Sequence, residues 1–504
     1  MYNRIDVKQL PESLTHRIRD VVYDMAENYV KNSHETSDTP NLYTLSFKLN
    51  IAAGVSLSGL QTKPPFYYWA RPERSYYKMG LGRAWQFETR GACRFEELQA
   101  AYQELTHGWH HQSLEYHDAG TDGGTEAASA PEIFCAFAFD EYDTMENCWQ
   151  EFPNSLLTLP AVMIQIQGDQ YTFNFSAKSE ILSKHPEEIL NEWFTYTGTL
   201  LQQLCSSAEK TNIKQDLYLE LSEPEDTDWL SLVNKACHAI HEGEFTKVVP
   251  ARHLRLRGKY LFETGKILQQ LNETYPSCVQ LACCFSEATL IAATPEQLIS
   301  KQGHEIKCDA LGGTIQKSLN VERDQQLAKE LMQASKTRRE HALVVDHVAR
   351  ALVDICSEMD VPRTPSIMSL PRLQHLLTAI TAKAGPNVTV FDLLQRLHPT
   401  PAVGGTPSKN ALQWLKDNES FNRGWYTGGI GWLDFDGNGE FAVVLRCALL
   451  KSDQADVYAG AGVVADSNAG EELAETELKL SGLINILMDN EQAPEMQSSC
   501  AIQQ

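Results

Sequence analysis

The stretch that most constrains this fold lies in the last third of the chain, from His398 to Leu480, where three glycine-containing segments follow one another. They are HPTPAVGGTP, then GGIGWLDFDGNGEFAVVLRCALL, then YAGAGVV with the helical pattern EELAETELKLSGLINIL. The turn residues Asp436–Gly439 separate two apolar runs, which predicts an antiparallel hairpin over Gly428–Leu450. Glycines in the strand after it would let a ligand approach the backbone closely. The stretch therefore predicts a sheet with a binding site.

Two charged features of this stretch indicate where such a site lies. Alternation in the second hairpin strand places Arg446 between Val444 and Ala448, and a charge among apolar neighbours needs a fixed partner. The following helix carries Glu472, Glu475 and Lys479 at spacings that place them on one face. Taken alone, the glycines are typical of a tight turn, and the Glu/Lys face is typical of a solvated helix surface. Their order and density in one stretch favour a site.

The segments HPTPAVGGTP, FNRGWYTGGIGW, LRCAL, YAGAGVV and AETELKL together resemble the chorismate-utilising enzymes, which include the isochorismate, salicylate, anthranilate and aminodeoxychorismate synthases. The resemblance covers about residues 225 to 490, and its ordered motifs are more specific than any single one. It implies an α/β (α+β) fold of two stacked, mostly antiparallel sheets enclosed by helices. The site is expected in a cleft between sheet and helices.

The resemblance also implies a division of the chain. We expect residues 1–222 to form a variable N-terminal region that packs on the core, residues 223–490 to form the chorismate-binding catalytic domain, and residues 491–504 to form a disordered tail. The acidic stretch LSEPEDTDW is a plausible junction.

Composition limits the partners and the compartment. The 504 residues have a net charge of -23, which disfavours nucleic acid and anionic membrane surfaces as partners. No apolar run reaches the length of a membrane span, and MYNRIDVKQLPESL has no signal-peptide core. Twelve cysteines without a C-x-x-C motif suit reduced thiols, so we expect a cytoplasmic protein. The sequence leaves its oligomeric state open.

The resemblance assigns a base and an acid. Lys247, in a strand predicted over 245–256, resembles the water-activating base of the isochorismate and salicylate synthases, where the ammonia-using anthranilate synthases typically carry glutamine. Glu296, in ATPEQLI, resembles the general acid that protonates the departing 4-hydroxyl. For that role burial must raise its pKa so that it holds a proton. The structural alternatives are a lysine at a solvated strand edge and a glutamate in a turn.

The resemblance also implies a magnesium site. Glu340, in a helix predicted over 321–357, resembles the family's magnesium ligand, with Glu475 as a second ligand and Glu472 behind it. Mg²⁺ takes one or two carboxylates together with water and substrate oxygens, which suits this set. Many members carry a further acid where this chain has Thr337, which indicates a different metal affinity.

The other residues that the resemblance singles out contact the substrate. They are Gly313, Thr314, His375, Ala402, Tyr426, Arg446, Gly460, Gly462 and Lys479. Tyr426, Arg446 and the backbone around Gly460 resemble a clamp on the enolpyruvyl carboxylate, because an arginine fork fits a carboxylate. Lys479 resembles a further carboxylate partner. His375 is either a neighbour of the substrate ring or a core histidine.

Two positions separate the activities within the family. Aminodeoxychorismate synthases place a nucleophilic lysine where this chain has Gly312, so we expect no covalent adduct. Salicylate, anthranilate and aminodeoxychorismate synthases typically carry threonine at the position of Ala402. Alanine there implies an isochorismate synthase, a Mg²⁺-dependent isomerase (hydroxymutase) that attacks C2 of chorismate with water and expels the C4 hydroxyl.

Two alternatives stay open at this point. A salicylate synthase would go on to eliminate pyruvate from isochorismate, and a non-catalytic regulator would only bind chorismate. The sequence also does not decide whether the product serves menaquinone or siderophore biosynthesis.

Overall fold

Two large β-sheets lie face to face in the computed structural model, which describes residues 10–32, 41–51, 54–116, 131–205 and 215–488. The strands are β1 (Leu42–Asn50), β2 (Phe66–Arg71), β3 (Tyr76–Leu81), β4 (Trp85–Thr89), β5 (Trp109–Ser113), β6 (Glu132–Phe137), β7 (Ser155–Leu159), β8 (Val162–Gln167), β9 (Gln170–Lys178), β10 (Leu217–Glu223), β11 (Lys247–Val248), β12 (Ala251–Gly258), β13 (Val279–Phe285), β14 (Ala288–Thr294), β15 (Gln297–Gln302), β16 (Glu305–Gln316), β17 (Cys356–Asp360), β18 (Ser366–Ser369), β19 (Leu373–Ala384), β20 (Gly405–Thr406), β21 (Gly429–Asp434), β22 (Gly439–Val443), β23 (Cys447–Lys451) and β24 (Gln454–Gly460).

Helices cover the outer faces of both sheets. They are α1 (Glu12–Asn32), α2 (Arg94–His107), α3 (Ser179–Lys184), α4 (Pro186–Cys205), α5 (Asp226–His241), α6 (Thr264–Thr274), α7 (Val321–Gln333), α8 (Ser335–Leu352), α9 (Val390–Leu397), α10 (Ser408–Asn418) and α11 (Ala469–Leu487). Within the described ranges, none of them is both long and apolar enough to span a membrane.

The two sheets differ in strand number but share one pairing rule. The twelve-stranded sheet has the order β10-β12-β24-β23-β14-β13-β2-β3-β8-β9-β1-β5, and the ten-stranded sheet has the order β17-β19-β16-β15-β22-β21-β6-β7-β4, with β18 on β19. Neighbouring strands are antiparallel except for β1 and β5, which are parallel. The predicted fold class, two stacked and mostly antiparallel sheets enclosed by helices, is confirmed.

The layer between the sheets is filled by large apolar side chains. Tyr67 and Trp69 of the twelve-stranded sheet meet Phe134 and Ile430 of the ten-stranded sheet there, and all are buried. Alternation along each strand provides this inner face and an outer face that packs on helices. The core therefore fixes the distance between the sheets, and with it the position of residues that project between them.

Strands from both sides of residue 222 take part in each sheet. In the twelve-stranded sheet β2 pairs with β13, and in the ten-stranded sheet β6 pairs with β21. The division into an N-terminal region and a catalytic domain stays a prediction, and the tail predicted at 491–504 lies outside the described residues.

The predicted hairpin is present, but its second strand is shorter than expected. β21 and β22 pair around the predicted turn, yet β22 ends at Val443 and the chain passes to the other sheet as β23. Arg446, at the crossing, has a φ of +48° and belongs to neither strand. The single strand predicted to Leu450 is therefore wrong. Apolar residues continue from β22 into β23 because both strands are buried. The sequence pattern therefore does not show where the chain passes from one sheet to the other.

Two other predicted elements are interrupted. The strand predicted over 245–256 is β11 and β12, because Pro250 has no N–H for a ladder and β11 pairs with β20 instead. The helix predicted over 321–357 is α7 and α8. They are separated by Ala334, whose ψ of 115° is extended, and α8 ends at Leu352.

Candidate active site

A cavity between the sheets and helices α8 and α11 collects the predicted residues. Every site residue predicted from the sequence lines it except Glu472. The lining residues are Lys247, Val249, Pro295, Glu296, Leu311, Gly312, Gly313, Thr314, Glu340, His375, Ala402, Val403, Tyr426, Thr427, Leu445, Arg446, Tyr458, Ala459, Gly460, Gly462, Glu475 and Lys479. Residues up to 232 positions apart thus share one space, because both sheets and both helices contribute to it.

Close approach of α8 to β16 brings Glu340 to the cavity. Gly313, at φ +70°, has no Cβ, and a side chain there would overlap the methyl group of Thr337 on α8. His341 anchors the same helix, since its Nε2 lies 2.8 Å from Thr378 Oγ1 on β19. Thr337 is the position where many family members have an acid, and here it packs against the strand.

Lys247 and Glu340 form an ion pair inside the cavity. The ammonium group of Lys247, which is 1% exposed, lies 2.9 Å from Glu340 Oε1. Gly462 borders this pair, and a Cβ at that position would overlap the Glu340 carboxylate. Only a glycine at this position leaves room for the ion pair, which explains one of the glycines of the YAGAGVV segment.

Two further lysine–glutamate pairs involve α11. Lys479 Nζ lies 2.7 Å from Glu475 Oε1 and donates to the backbone oxygen of Gly460 at 2.8 Å. Glu472 lies behind them, 3% exposed, and pairs with Lys336 of α8 at 2.9 Å. Burial and then the charge of Glu475 raise the pKa of Glu472, against the lowering by Lys336.

These carboxylates fit a hard divalent cation. Glu340 and Glu475 present carboxylate oxygens to the cavity, and the effect of Glu475 on Glu472 indicates negative charges that a cation would offset. The three glutamates are not gathered within 4.8 Å of one another, so water and ligand oxygens would complete the coordination. Such a mixed shell is usual for Mg²⁺.

Glu296 reaches the cavity from the turn between β14 and β15. It is 2% exposed, and its Oε1 has no hydrogen-bond partner among the described residues. Burial and then the charge of Asp309 raise the pKa of Glu296 to about 8, against the lowering by Lys247 and Arg446. A carboxyl group in this setting holds a proton at neutral pH and can donate it.

Arg446 and His375 form the opposite polar wall. Arg446 Nη2 lies 2.7 Å from His375 Nε2, and His375 Nδ1 lies 3.1 Å from the oxygen of Gly313. Burial, and then the charge of Arg446, hold the pKa of His375 well below its usual value, so the imidazole is neutral. It accepts from Arg446 at Nε2 and donates from Nδ1. Arg446 Nη1 has no partner in the described part of the chain.

An aromatic wall closes the cavity. Tyr426 stacks on Tyr458 with ring centroids 5.1 Å apart, and His253 stacks behind Tyr458 at 4.9 Å. His253, Asp456 and Cys148 are the one group of three in the described residues whose possible metal-ligating atoms lie within 4.8 Å of one another.

That group is already satisfied without a metal. Asp456 accepts hydrogen bonds from His253 Nε2 at 2.7 Å and from Arg255 Nε at 2.8 Å, and its other oxygen accepts from Gln454 at 2.6 Å. The group is therefore a structural support for the aromatic wall.

Sequence reasoning missed several contributors. Leu445 and Tyr458 line the cavity, and both lie inside quoted motifs, LRCAL and YAGAGVV, that could have directed attention to them. Lys336 and Asp309 act on predicted residues from outside the lining. In the sequence, Lys336 and Asp309 are marked only by being charged residues next to apolar or site residues. That pattern is too common to identify functional residues.

Comparison with known proteins gives consistent matches. A family model described as "Chorismate binding enzyme" matches residues 29–488. The chain is 30% identical over 453 residues to the salicylate biosynthesis isochorismate synthase of Pseudomonas aeruginosa, covering 88% of this chain and 90% of that relative. It is 29% identical over 424 residues to isochorismate synthase MenF of Bacillus subtilis, covering 84% and 87%.

A solved structure gives the same match in three dimensions. MenF, described as the menaquinone-specific isochorismate synthase from Escherichia coli, superposes with a TM-score of 0.71 at 25% sequence identity. The superposition covers 92% of this chain and 99% of that one.

Proposed function

This chain belongs to the chorismate binding enzyme family, and from that premise we propose that it is an isochorismate synthase, an isomerase that converts chorismate to isochorismate. One observation carries the proposal. A buried carboxyl group with a raised pKa, Glu296, and a buried amine, Lys247, line one cavity. The same cavity holds Arg446 Nη1, which has no partner among the residues that the structure describes. An acid, a base and a carboxylate anchor are the groups that this isomerisation needs.

Chorismate is a dianion, and the cavity offers positive charge for it. Arg446 Nη1, unpartnered within the described ranges, can donate to the enolpyruvyl carboxylate, and the contact of Nη2 with His375 fixes the direction of the guanidinium. Tyr426 and the backbone around Gly460 and Gly462 border the same space. We assign these groups to the side-chain carboxylate, with Gly313 and Thr314 along the ring.

The chemical step then uses one proton acceptor and one proton donor. Lys247, as a neutral amine, takes a proton from a water molecule whose oxygen forms a bond to C2 of the ring. The ring double bonds shift, the C4–O bond breaks, and Glu296 gives its proton to the leaving hydroxyl, which departs as water. Atoms balance, since one water enters and one leaves. Most of the acceleration comes from holding these partners in place.

A divalent cation completes the charge balance. Glu340 and Glu475, with Glu472 behind them, would hold Mg²⁺, which supplies positive charge for the ring carboxylate of chorismate. Lys247 and Lys479, which pair with Glu340 and Glu475, offset the negative charge of these glutamates inside the cavity.

Ala402 favours retention of the enolpyruvyl group. It lines the cavity with a methyl group where a salicylate synthase is expected to carry threonine, so no hydroxyl contacts the side chain there. The salicylate synthase alternative therefore ranks second. The regulator alternative ranks third, because the acid and the base both face the cavity.

The setting of the protein is part of the proposal. We infer a cytoplasmic enzyme whose partner is the small molecule chorismate, with no nucleic acid or membrane partner, in line with a net charge of -23. Residues 1–222 are assigned a structural role, since β2 and β6 extend the sheets that carry the cavity.

Labelled water tests the proposed step. The purified protein is incubated with chorismate and Mg²⁺ in H₂¹⁸O, and the product is analysed by mass spectrometry. Attack by water at C2 predicts isochorismate with one ¹⁸O atom in the ring hydroxyl. Unlabelled isochorismate would contradict the roles of Lys247 and Glu296, since it would mean that the substrate's own hydroxyl migrates.

A further inference from the structure

A cluster of four polar side chains, three of them charged, lies behind the turn that carries Glu296. It consists of Asp309 on β16, Arg71 at the end of β2, Glu440 on β22, and Gln297, the residue after Glu296. None of these residues lines the cavity. They are nevertheless enclosed between the sheets, since the side chains of Arg71 and Glu440 are 16% and 12% exposed.

The alternation of β16 directs Asp309 towards the space between the sheets. Ile306, Cys308 and Ala310 are buried against the helices on the outer face of this strand. Asp309 and Leu311 therefore project from the opposite face. Leu311 lines the cavity, so Asp309 lies on the cavity side of the strand, one step behind it.

Arg71 ties the turn of Glu296 to the other sheet. Its Nη2 donates to Gln297 Oε1 at 2.7 Å, and the same guanidinium forms an ion pair with Glu440. The backbone of Glu296 is fixed as well, because its oxygen accepts from the N–H of Val443 at 3.1 Å. The turn thus has little freedom to move its carboxyl group away from Asp309.

Charges reach Glu296 from several elements. Lys247 on β11 and Arg446 at the crossing between β22 and β23 favour its ionised form, whereas Asp309 on β16 favours its protonated form. The positive charge of Arg71 is shared between Glu440 and Asp309. Gln297 Nε2 also donates to the backbone oxygen of Lys307 on β16 at 3.4 Å, which holds the turn of Glu296 beside the strand that carries Asp309.

We propose that Asp309 is a positioning residue for Glu296, whose negative charge, held behind the turn, keeps the cavity carboxyl group in its acid form. Two neighbouring carboxyl groups cannot ionise independently, and the one with the better counter-charge ionises first. The charge of Arg71 and the backbone N–H of Gln297 both lower the pKa of Asp309 and so favour its ionised form.

The order of ionisation follows from the two environments. Burial raises the pKa of Asp309 to about 6, and Arg71 and Gln297 limit that rise. Glu296, with a pKa raised to about 8, therefore titrates after Asp309 is already negative. This inference rests on the proposed function, because it concerns how the acid of that reaction stays protonated.

The test is the pH profile of kcat for isochorismate formation by Asp309→Asn. A general acid is active when protonated, so activity falls as pH rises through its pKa. Loss of the negative charge lowers the pKa of Glu296, and the alkaline limb should move down by about one pH unit. At pH 8 kcat should fall about fivefold relative to the unsubstituted enzyme, whereas at pH 6 the two should differ by less than about twofold.

Three controls separate charge from structure. Glu305→Gln removes one negative charge from an exposed position on the same strand and should leave the limb in place. Asp309→Glu keeps the negative charge, so its pH profile of kcat should match that of the unsubstituted enzyme. Asp309→Ser removes the charge with a smaller side chain, and it replaces Asp309→Asn if that variant does not fold.

The outcomes are distinct from those of the proposed function. Absence of isochorismate with the unsubstituted protein refutes that function before any variant is compared. If isochorismate forms but the alkaline limb of Asp309→Asn or Asp309→Ser coincides with that of Glu305→Gln, only the role of Asp309 is refuted. A uniform loss of kcat at all pH values also refutes it, since that pattern reflects structure alone.

Discussion

Two groups of ionisable side chains lie on opposite sides of Tyr458, and they differ in how far the protein satisfies them. Behind the ring, Asp456 accepts from His253, Arg255 and Gln454, which leaves none of its oxygens unpaired. In front of it, the cavity holds Glu296 Oε1 and Arg446 Nη1 without partners in the described part of the chain. Both groups are buried, so burial alone does not distinguish them.

The difference teaches where to look for a ligand. Leaving a buried polar group unpaired costs about 1 to 3 kcal/mol, so a ligand that supplies the missing partners of Glu296 and Arg446 would recover part of that cost. The satisfied group behind Tyr458 supports the aromatic wall, whereas the proposed function assigns binding and reaction to the unsatisfied groups in the cavity. Variants in the two places should therefore have opposite effects.

Replacing Lys247 should have the largest effect on activity. Lys247→Gln removes the proposed base, so kcat should fall by at least about 10³-fold, within the range for loss of acid–base catalysis. The melting temperature should change little, because Glu340 remains partly accessible to water. The matched control is Lys336→Gln, which breaks the ion pair with Glu472 outside the lining and should cost less than about tenfold. Near-normal turnover by Lys247→Gln, with normal stability, would exclude this base.

Asp456 should give the reverse pattern. Asp456→Asn breaks a buried network, and the free energy of unfolding should fall by about 3 kcal/mol, as measured by chemical denaturation. The kcat of the folded fraction should stay within about threefold, because no atom of Asp456 lines the cavity. A large loss of kcat at unchanged stability would mean that Asp456 takes part in the reaction, and it would contradict the difference between the two groups.

The metal site should give a smaller and reversible effect. Glu475→Gln removes one proposed ligand oxygen, and the Mg²⁺ concentration for half-maximal activity should rise about tenfold or more. Chelator should stop the unsubstituted enzyme, and added Mg²⁺ should restore it. Full activity in chelator would remove the metal from the account. Glu471→Gln, an exposed neighbour on the same helix, is the matched control and should leave the Mg²⁺ requirement unchanged.

Local patterns in the sequence predicted much of this molecule. Successive strands from Cys278 to Gln316 and the turn at Asp436–Gly439 follow from alternation and turn residues, and the structure has them. The ordered motifs also identified residues that line one cavity. Alternation and turn residues depend only on neighbours in the sequence, so they can be recognised without knowing the tertiary contacts.

Long-range pairings could not be predicted in the same way. The passage between sheets at Arg446 occurs inside an apolar run whose alternation does not change. Likewise, Lys247 meets Glu340 and Lys336 meets Glu472 only because α8 and α11 approach the same strands. The partners of a buried charge depend on the packing of distant elements, and sequence spacing has no information about them.

The central claim is that the cavity converts chorismate to isochorismate and retains the enolpyruvyl group. The most direct measurement separates the products of purified protein, chorismate and Mg²⁺ by chromatography, with pyruvate measured in a coupled assay. We expect isochorismate with little pyruvate or salicylate, because Ala402 offers no hydroxyl to the enolpyruvyl side chain. Stoichiometric pyruvate and salicylate would contradict it and identify a salicylate synthase.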